Sequence, residues 1–202
     1  MQSISNDAAI AIACILYRNL DCGERAYHNN AHALNVMHRS LTLVYHDLFY
    51  NDFEHKVDID VLSIAAVAHD LLFDPTENAT QMINKSVGEY GAVCGHIPQV
   101  DHGKVKATIR MASGSMIEAC SVDAKILHDA DWLQFSFDHK EYRVYAAQIM
   151  KEYTRFFSIE QFAKRRIKFL ESIDPNKVFY SPEIKCNQRN IEEEIKSLRF
   201  YA

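Results

Sequence analysis

The stretch that most limits the fold is Ile64-Ala65-Ala66-Val67-Ala68-His69-Asp70. Small and aliphatic residues run without a break and end in a histidine and an acid side by side. A segment apolar on every face predicts a helix buried on most of its sides, so other helices have to surround it. An unpaired carboxylate left in such surroundings would cost several kcal/mol. His69 and Asp70 therefore need a partner. One metal ion serves both; a hydrogen-bonded core histidine next to a helix-end acid is the plainer alternative.

The chain has only 6 glycines and 4 prolines in 202 residues, too few breakers for many short strands joined by turns. The expectation is an all-α fold, a single helical-bundle domain over residues 1–202. A formal net charge of -5 argues against nucleic acid as a bulk partner. It leaves room for a small phosphate ligand held beside a cation. The cysteines, Cys14, Cys22, Cys94, Cys120 and Cys186, are odd in number and show no Cys-x-x-Cys. They read as reduced thiols and point to a cytoplasmic location. The first 17 residues carry no Lys or Arg, unlike a secretory signal, and the apolar run 8–17 is too short to span a bilayer. No membrane partner is expected.

Helices are expected over 4–20, about 24–49, 57–72, 76–94, 104–112, 123–135, two long stretches after 138 and 190–198. Residues 51–60 and 95–103 read as loops, the second with Pro98, His96 and His102, and Ser113-Gly114-Ser115 as a helix end. Ser158 with Gln161 resembles a capping box opening the helix 158–173. Tyr142, Tyr145, Ala146, Ile149 and Tyr153 form a core stripe at helical spacing. In the second helix His28 and His32 stand i and i+4 apart and so share a face, while His38 and His46 fall on the solvated surface. Near residue 130, His128 and Asp131 share a face and Asp129 points elsewhere.

The candidates for chemistry are then His28, His32, His69, Asp70, Asp129 and Asp131, drawn from three helices. Helical bundles build metal sites from side chains on facing helices. Imidazoles mixed with carboxylates suit a divalent ion (Mn, Fe, Co, Ni, Zn or Mg) without choosing among them. Asp70 is placed to bridge a second ion, giving one or two per chain.

Three segments carry a resemblance: Tyr27-His28-Asn29-x-x-His32-Ala33, Ala65-Ala66-x-x-His69-Asp70, and Asp129-Ala130-Asp131-x-Leu133. In this combination the chain resembles the HD-domain superfamily of metal-dependent phosphohydrolases, in particular small bacterial ones. The first segment is also similar to cyclic-nucleotide phosphodiesterases, which share the helical core. Tyr142, Tyr145, Glu152-Tyr153 and Arg165 or Arg166 match the later pattern. The motif-bearing core covers about 24–135, and the C-terminal helices about 138–199. The resemblance implies an HD-type fold with His32, His69, Asp70 and Asp131 as metal ligands. The Ala-Asp-x-Leu context in related sequences favours Asp131 over Asp129. It implies hydrolysis of a nucleotide or other small phosphoester by metal-activated water, with Asp70 at the reaction centre and His28 protonating the leaving oxygen. Asn29, beside His28, is a candidate for substrate contact. On charge alone Lys85, Arg165 and Arg166 are candidates for holding phosphate, a solvated helix face being the plainer reading of the two arginines.

Two departures from that pattern stand out. Met82-Ile83 precede Ser86 where relatives have Asn-Glu, and Ser113 and Ser115 stand where they have a His. Both remove groups that touch substrate or position water. Two other functions fit the same core: a di-iron oxygenase drawing on His96 and His102, and a ligand-binding module without catalysis.

Overall fold

The computed structural model describes residues 3–20, 25–45, 57–112 and 121–202. The expected break at Asp21-Cys22-Gly23, the helix start at Glu24 and its extension to Phe49 lie outside these residues. So do His46, most of the 51–60 loop, Ser113-Gly114-Ser115, Cys22 and Cys120. Among the described residues the regular structure is all helical, with no strand. The helices are α1 (Asn6–Leu20), α2 (Asn30–Tyr45), α3 (Ile59–Ala68), α4 (Ala79–Cys94) and α5 (His102–Ala112). They continue with α6 (Val122–Trp132), a 3₁₀ turn (Leu133–Ser136), α7 (His139–Tyr153), α8 (Ile159–Glu171) and α9 (Gln188–Leu198). None is long and apolar enough to cross a membrane. The chain forms two compact units, Met1–Ala130 and Asp131–Ala202.

The first unit is built around α3. Every residue of this helix except Asp60 in its first turn is buried, as the apolar run that follows requires. Helices α1, α2, α4 and α5 all pack against it. Asp58 caps its start by accepting from Val61 N at 3.1 Å. The helix is shorter than the expected 57–72. It ends at Ala68, and a turn closed by Leu71 N on the Ala68 carbonyl (3.2 Å) carries Asp70 clear of the helical ladder. Helix α4 likewise starts at Ala79 because Asn78 and Gln81 form a capping box there. Helix α6 is tied to the start of α3 by Asp58 N donating to Asp123 Oδ1 at 3.1 Å.

Cys94 closes α4 with no solvent exposure and donates from Sγ to the Ala11 carbonyl at 3.6 Å. Burial, with the nearby Cys14 adding to it, pushes its thiol up to about 12. It is therefore expected to resist iodoacetamide at neutral pH until the protein is unfolded in urea, as peptide mass spectrometry would show. An unfolded thiol ionises near about 8.5, so between the two values the folded state binds more protons than the unfolded one. Stability should fall as pH rises through that window. Rapid labelling of native Cys94 at pH 7 would contradict this.

In the second unit, Tyr142, Tyr145 and Ile149 of α7 are buried, together with Phe162 and Leu170 of α8 and Ile191 and Leu198 of α9. Ser158 and Gln161 form the expected capping box at α8. Trp132 packs its ring against Phe135 and Phe169, with centroids 5.4 and 5.9 Å away.

A candidate metal centre

The ligand atoms of His32, His69 and Asp131 lie within 4.8 Å of one another, a group able to hold a metal ion. Each arrives from a different helix. His32 sits in the first turn of α2, His69 caps the end of α3, and Asp131 lies in the last turn of α6, which is rooted in the first unit. Asp131 joins the group and Asp129, fully buried, does not.

The two imidazoles are set up as ligands. His69 Nδ1 is 2.8 Å from the Ala66 carbonyl, so this nitrogen carries the proton and donates it. Its Nε2 is then the nitrogen turned to the group, the orientation that histidine ligands take. His32 Nε2 is 3.3 Å from it. Two nitrogens bound to one tetrahedral ion at about 2.0–2.1 Å stand roughly 3.3 Å apart, so the spacing fits a shared cation. Asp70 Oδ2 is 3.1 Å from His69 Nε2 and 3.7 Å from His32 Nε2. The donor set is imidazole nitrogens and carboxylate oxygens, the chemistry a divalent transition ion prefers. Burial opposes ionisation of Asp70. The facing imidazoles of His69, His32 and His28 outweigh it and hold the carboxyl well below the usual carboxylate range.

His28 is not on the helix with His32, contrary to the i, i+4 reading. Helix α2 starts only at Asn30, because Asn29 Oδ1 accepts from the backbone of Ala31 (2.9 Å) and His32 (3.2 Å) and so caps it. His28 still reaches the group from the preceding bend, with its ring centroid 5.6 Å from that of His32 and its Nε2 3.9 Å from Asp70 Oδ2. Phe73 stacks on the His28 ring at 3.6 Å and 13°, and Tyr27 meets it edge-on at 4.9 Å. The Asn29 side chain, expected at substrate, is spent on the cap and on donating to the Arg25 carbonyl at 3.0 Å.

The other residues singled out from the sequence are spread out. Lys85 is half-exposed and paired with Glu77. Arg165 lies over the Phe157 ring at 4.3 Å from its centroid. Arg166, read as a phosphate contact, is instead a buried structural cation that donates to Glu194 and to the Tyr145 hydroxyl. His128 is a core histidine whose Nδ1 donates to the Ala112 carbonyl at 3.0 Å. His102, expected in a loop, opens α5 with Nδ1 2.7 Å from the Tyr90 hydroxyl and Nε2 3.0 Å from the Ile97 carbonyl, so neither nitrogen is left for iron. His96 is exposed.

Around the centre, Phe73 and Arg25 escape the sequence reading, and Ser86 enters it only through the residues before it. Phe73 stacks on His28. Ser86 Oγ accepts from Leu72 N (3.1 Å) and donates to Leu72 O (3.0 Å), bracing the turn beyond Asp70. Arg25 reaches the same turn from the other side. None lies in a periodic pattern, and the long-range contacts that give Phe73 and Arg25 their roles leave no local signal. Comparisons with protein-family models, characterised proteins and solved structures return no match.

Proposed function

We propose that the chain is a metal-dependent phosphohydrolase of the HD-domain type, acting on a nucleotide or other small phosphoester. The reading is carried by the two Nε2 atoms of His32 and His69 3.3 Å apart, the His69 ring being oriented by its Nδ1 donating to the Ala66 carbonyl, gathered with the Asp131 carboxylate. His32, His69, Asp131 and Asp70 would hold the ion. When bound, a divalent cation supplies a Lewis acid that brings the pKa of water from about 15.7 towards about 7 and offsets charge on phosphoryl oxygens. His28 is the general acid: its ring is held between Phe73 and Tyr27, beside the Asp70 carboxylate, from where its proton passes to the leaving oxygen.

Elemental analysis of the purified protein beside His69→Ala tests the centre. The expected result is about one or two transition ions per chain, lost in the variant. Phosphomonoesters and nucleotides offered with that metal should then be hydrolysed, and EDTA should stop the reaction. Protein that takes up no metal even with added Mn²⁺ overturns the reading. Metal and tight nucleotide binding without turnover would leave a binding module instead.

A further inference from the structure

The Arg25 side chain touches both backbone segments of the centre. Its Nη1 lies 3.3 Å from the His28 carbonyl, 3.2 Å from the Asp70 carbonyl and 3.4 Å from the Leu71 carbonyl. Nη2 lies 3.4 Å from the Leu71 carbonyl as well, and Asn19 Oδ1 completes the set around Nη1 at 3.3 Å. Four oxygens thus converge on one end of a cation. The first comes from the bend that carries His28, just ahead of His32. The next two belong to the turn that carries Asp70, just after His69. The fourth belongs to α1.

The guanidinium sets one group of donors among carbonyls of both segments and offsets the repulsion between them. Ser86 braces only the Asp70 side, and the Asn29 cap orders only the His32 side. The bend is seated on α1 by Asn30, which accepts from Asn19 Nδ2 at 2.8 Å and donates to the Leu16 carbonyl at 3.0 Å. Arg25 is the part of this network that reaches across to the second segment. With its donors turned to backbone carbonyls, it is placed to hold the protein's own chain, not a substrate phosphate.

We propose that Arg25 is a positioning residue for the metal centre, clamping the His28 bend to the Asp70 turn so that donors from both segments meet at one point. The proposal rests on the metal reading above. It predicts that Arg25 sets metal affinity without touching the ion, and residues standing behind ligands typically tune affinity 10- to 100-fold.

The test is Co²⁺ titration followed by visible absorption, on wild type, His69→Ala and Arg25→Ala, with far-UV circular dichroism to confirm folding. Arg25→Ala is expected to stay helical, to bind Co²⁺ about 10- to 100-fold more weakly with an altered spectrum, and to recover part of both when free guanidinium ion is added at non-denaturing concentration. Sodium should not rescue it. A folded Arg25→Ala protein with wild-type affinity and spectrum overturns the proposal while leaving the metal centre standing. Wild type that binds no Co²⁺ removes the centre and the clamp together. Should the alanine variant fail to fold, Arg25→Gln, which keeps a neutral amide donor but loses the charge and reach, is read in the same way, and unchanged affinity overturns the proposal.

Discussion

Asp70→Ala is expected to abolish metal binding and phosphoester hydrolysis together, whereas His28→Gln keeps the metal and loses about 10²- to 10⁴-fold in kcat. His28 Nε2 and Asp70 Oδ2 are 3.9 Å apart, yet the proposed function gives the two residues different work. Asp70 faces three imidazoles and is held ionised by them, so removing it takes away an anionic oxygen from among the nitrogen donors. His28 stands one step further out. Its Nε2 reaches Asp70 while its ring face is covered by Phe73. Glutamine keeps an amide near that position but has no proton to give at neutral pH. Elemental analysis and steady-state kinetics on the two variants separate the roles. Full metal content and activity in Asp70→Ala would remove it from the site, and loss of metal in His28→Gln would make His28 a ligand in place of an acid.

How far the sequence shows this site depends on the range of the forces that build it. Helix α3 is legible because its burial is written in consecutive residues: a run without a polar face has only one place to go. His69 and Asp70 follow from it, since a histidine and an acid at the end of a buried helix need partners. His32 and Asp131 are legible as candidates by type and context, but their convergence with His69 is a tertiary fact. The position of His28 is misread for a local reason. Spacing alone makes it a helical neighbour of His32, and the spacing argument leaves out the asparagine between them. Asn29 competes for the backbone donors of Ala31 and His32 and starts the helix after His28. His102 fails as an iron candidate for a similar reason. Its ring is claimed by Tyr90, twelve residues away. Arg25 is the least legible of all, because its acceptors are backbone carbonyls and carbonyls have no residue type to read.

Arg166 is the clearest case of a charge whose role the sequence hides, and it carries the largest stability prediction. Glu194→Gln is expected to destabilise the second unit by about 3–5 kcal/mol. Arg166 Nε donates to Glu194 Oε1 at 2.9 Å and Nη2 to Oε2 at 3.2 Å, a bidentate pair with both side chains more than nine-tenths buried. The same carboxylate accepts from the Tyr142 hydroxyl at 2.5 Å, and Nη2 also reaches the Tyr145 hydroxyl at 3.2 Å. Burial, joined by the adjacent Glu194 carboxylate, holds Tyr142 protonated far into alkaline pH. One acid therefore satisfies a guanidinium and a phenol that have no access to water. Glutamine keeps the shape but leaves the guanidinium uncompensated inside the unit, and an unpaired buried charge costs more than the pair gains. Urea unfolding followed by the fluorescence of Trp132, the sole tryptophan, reads this directly, because its ring packs on Phe135 and Phe169 in the same unit. Replacing both partners, as Arg166→Met with Glu194→Leu, should restore part of the loss, since neither charge is then left buried alone while the Tyr142 hydroxyl still loses its acceptor. A loss below about 1 kcal/mol in Glu194→Gln would place the pair in the range of exposed surface bridges and contradict its burial.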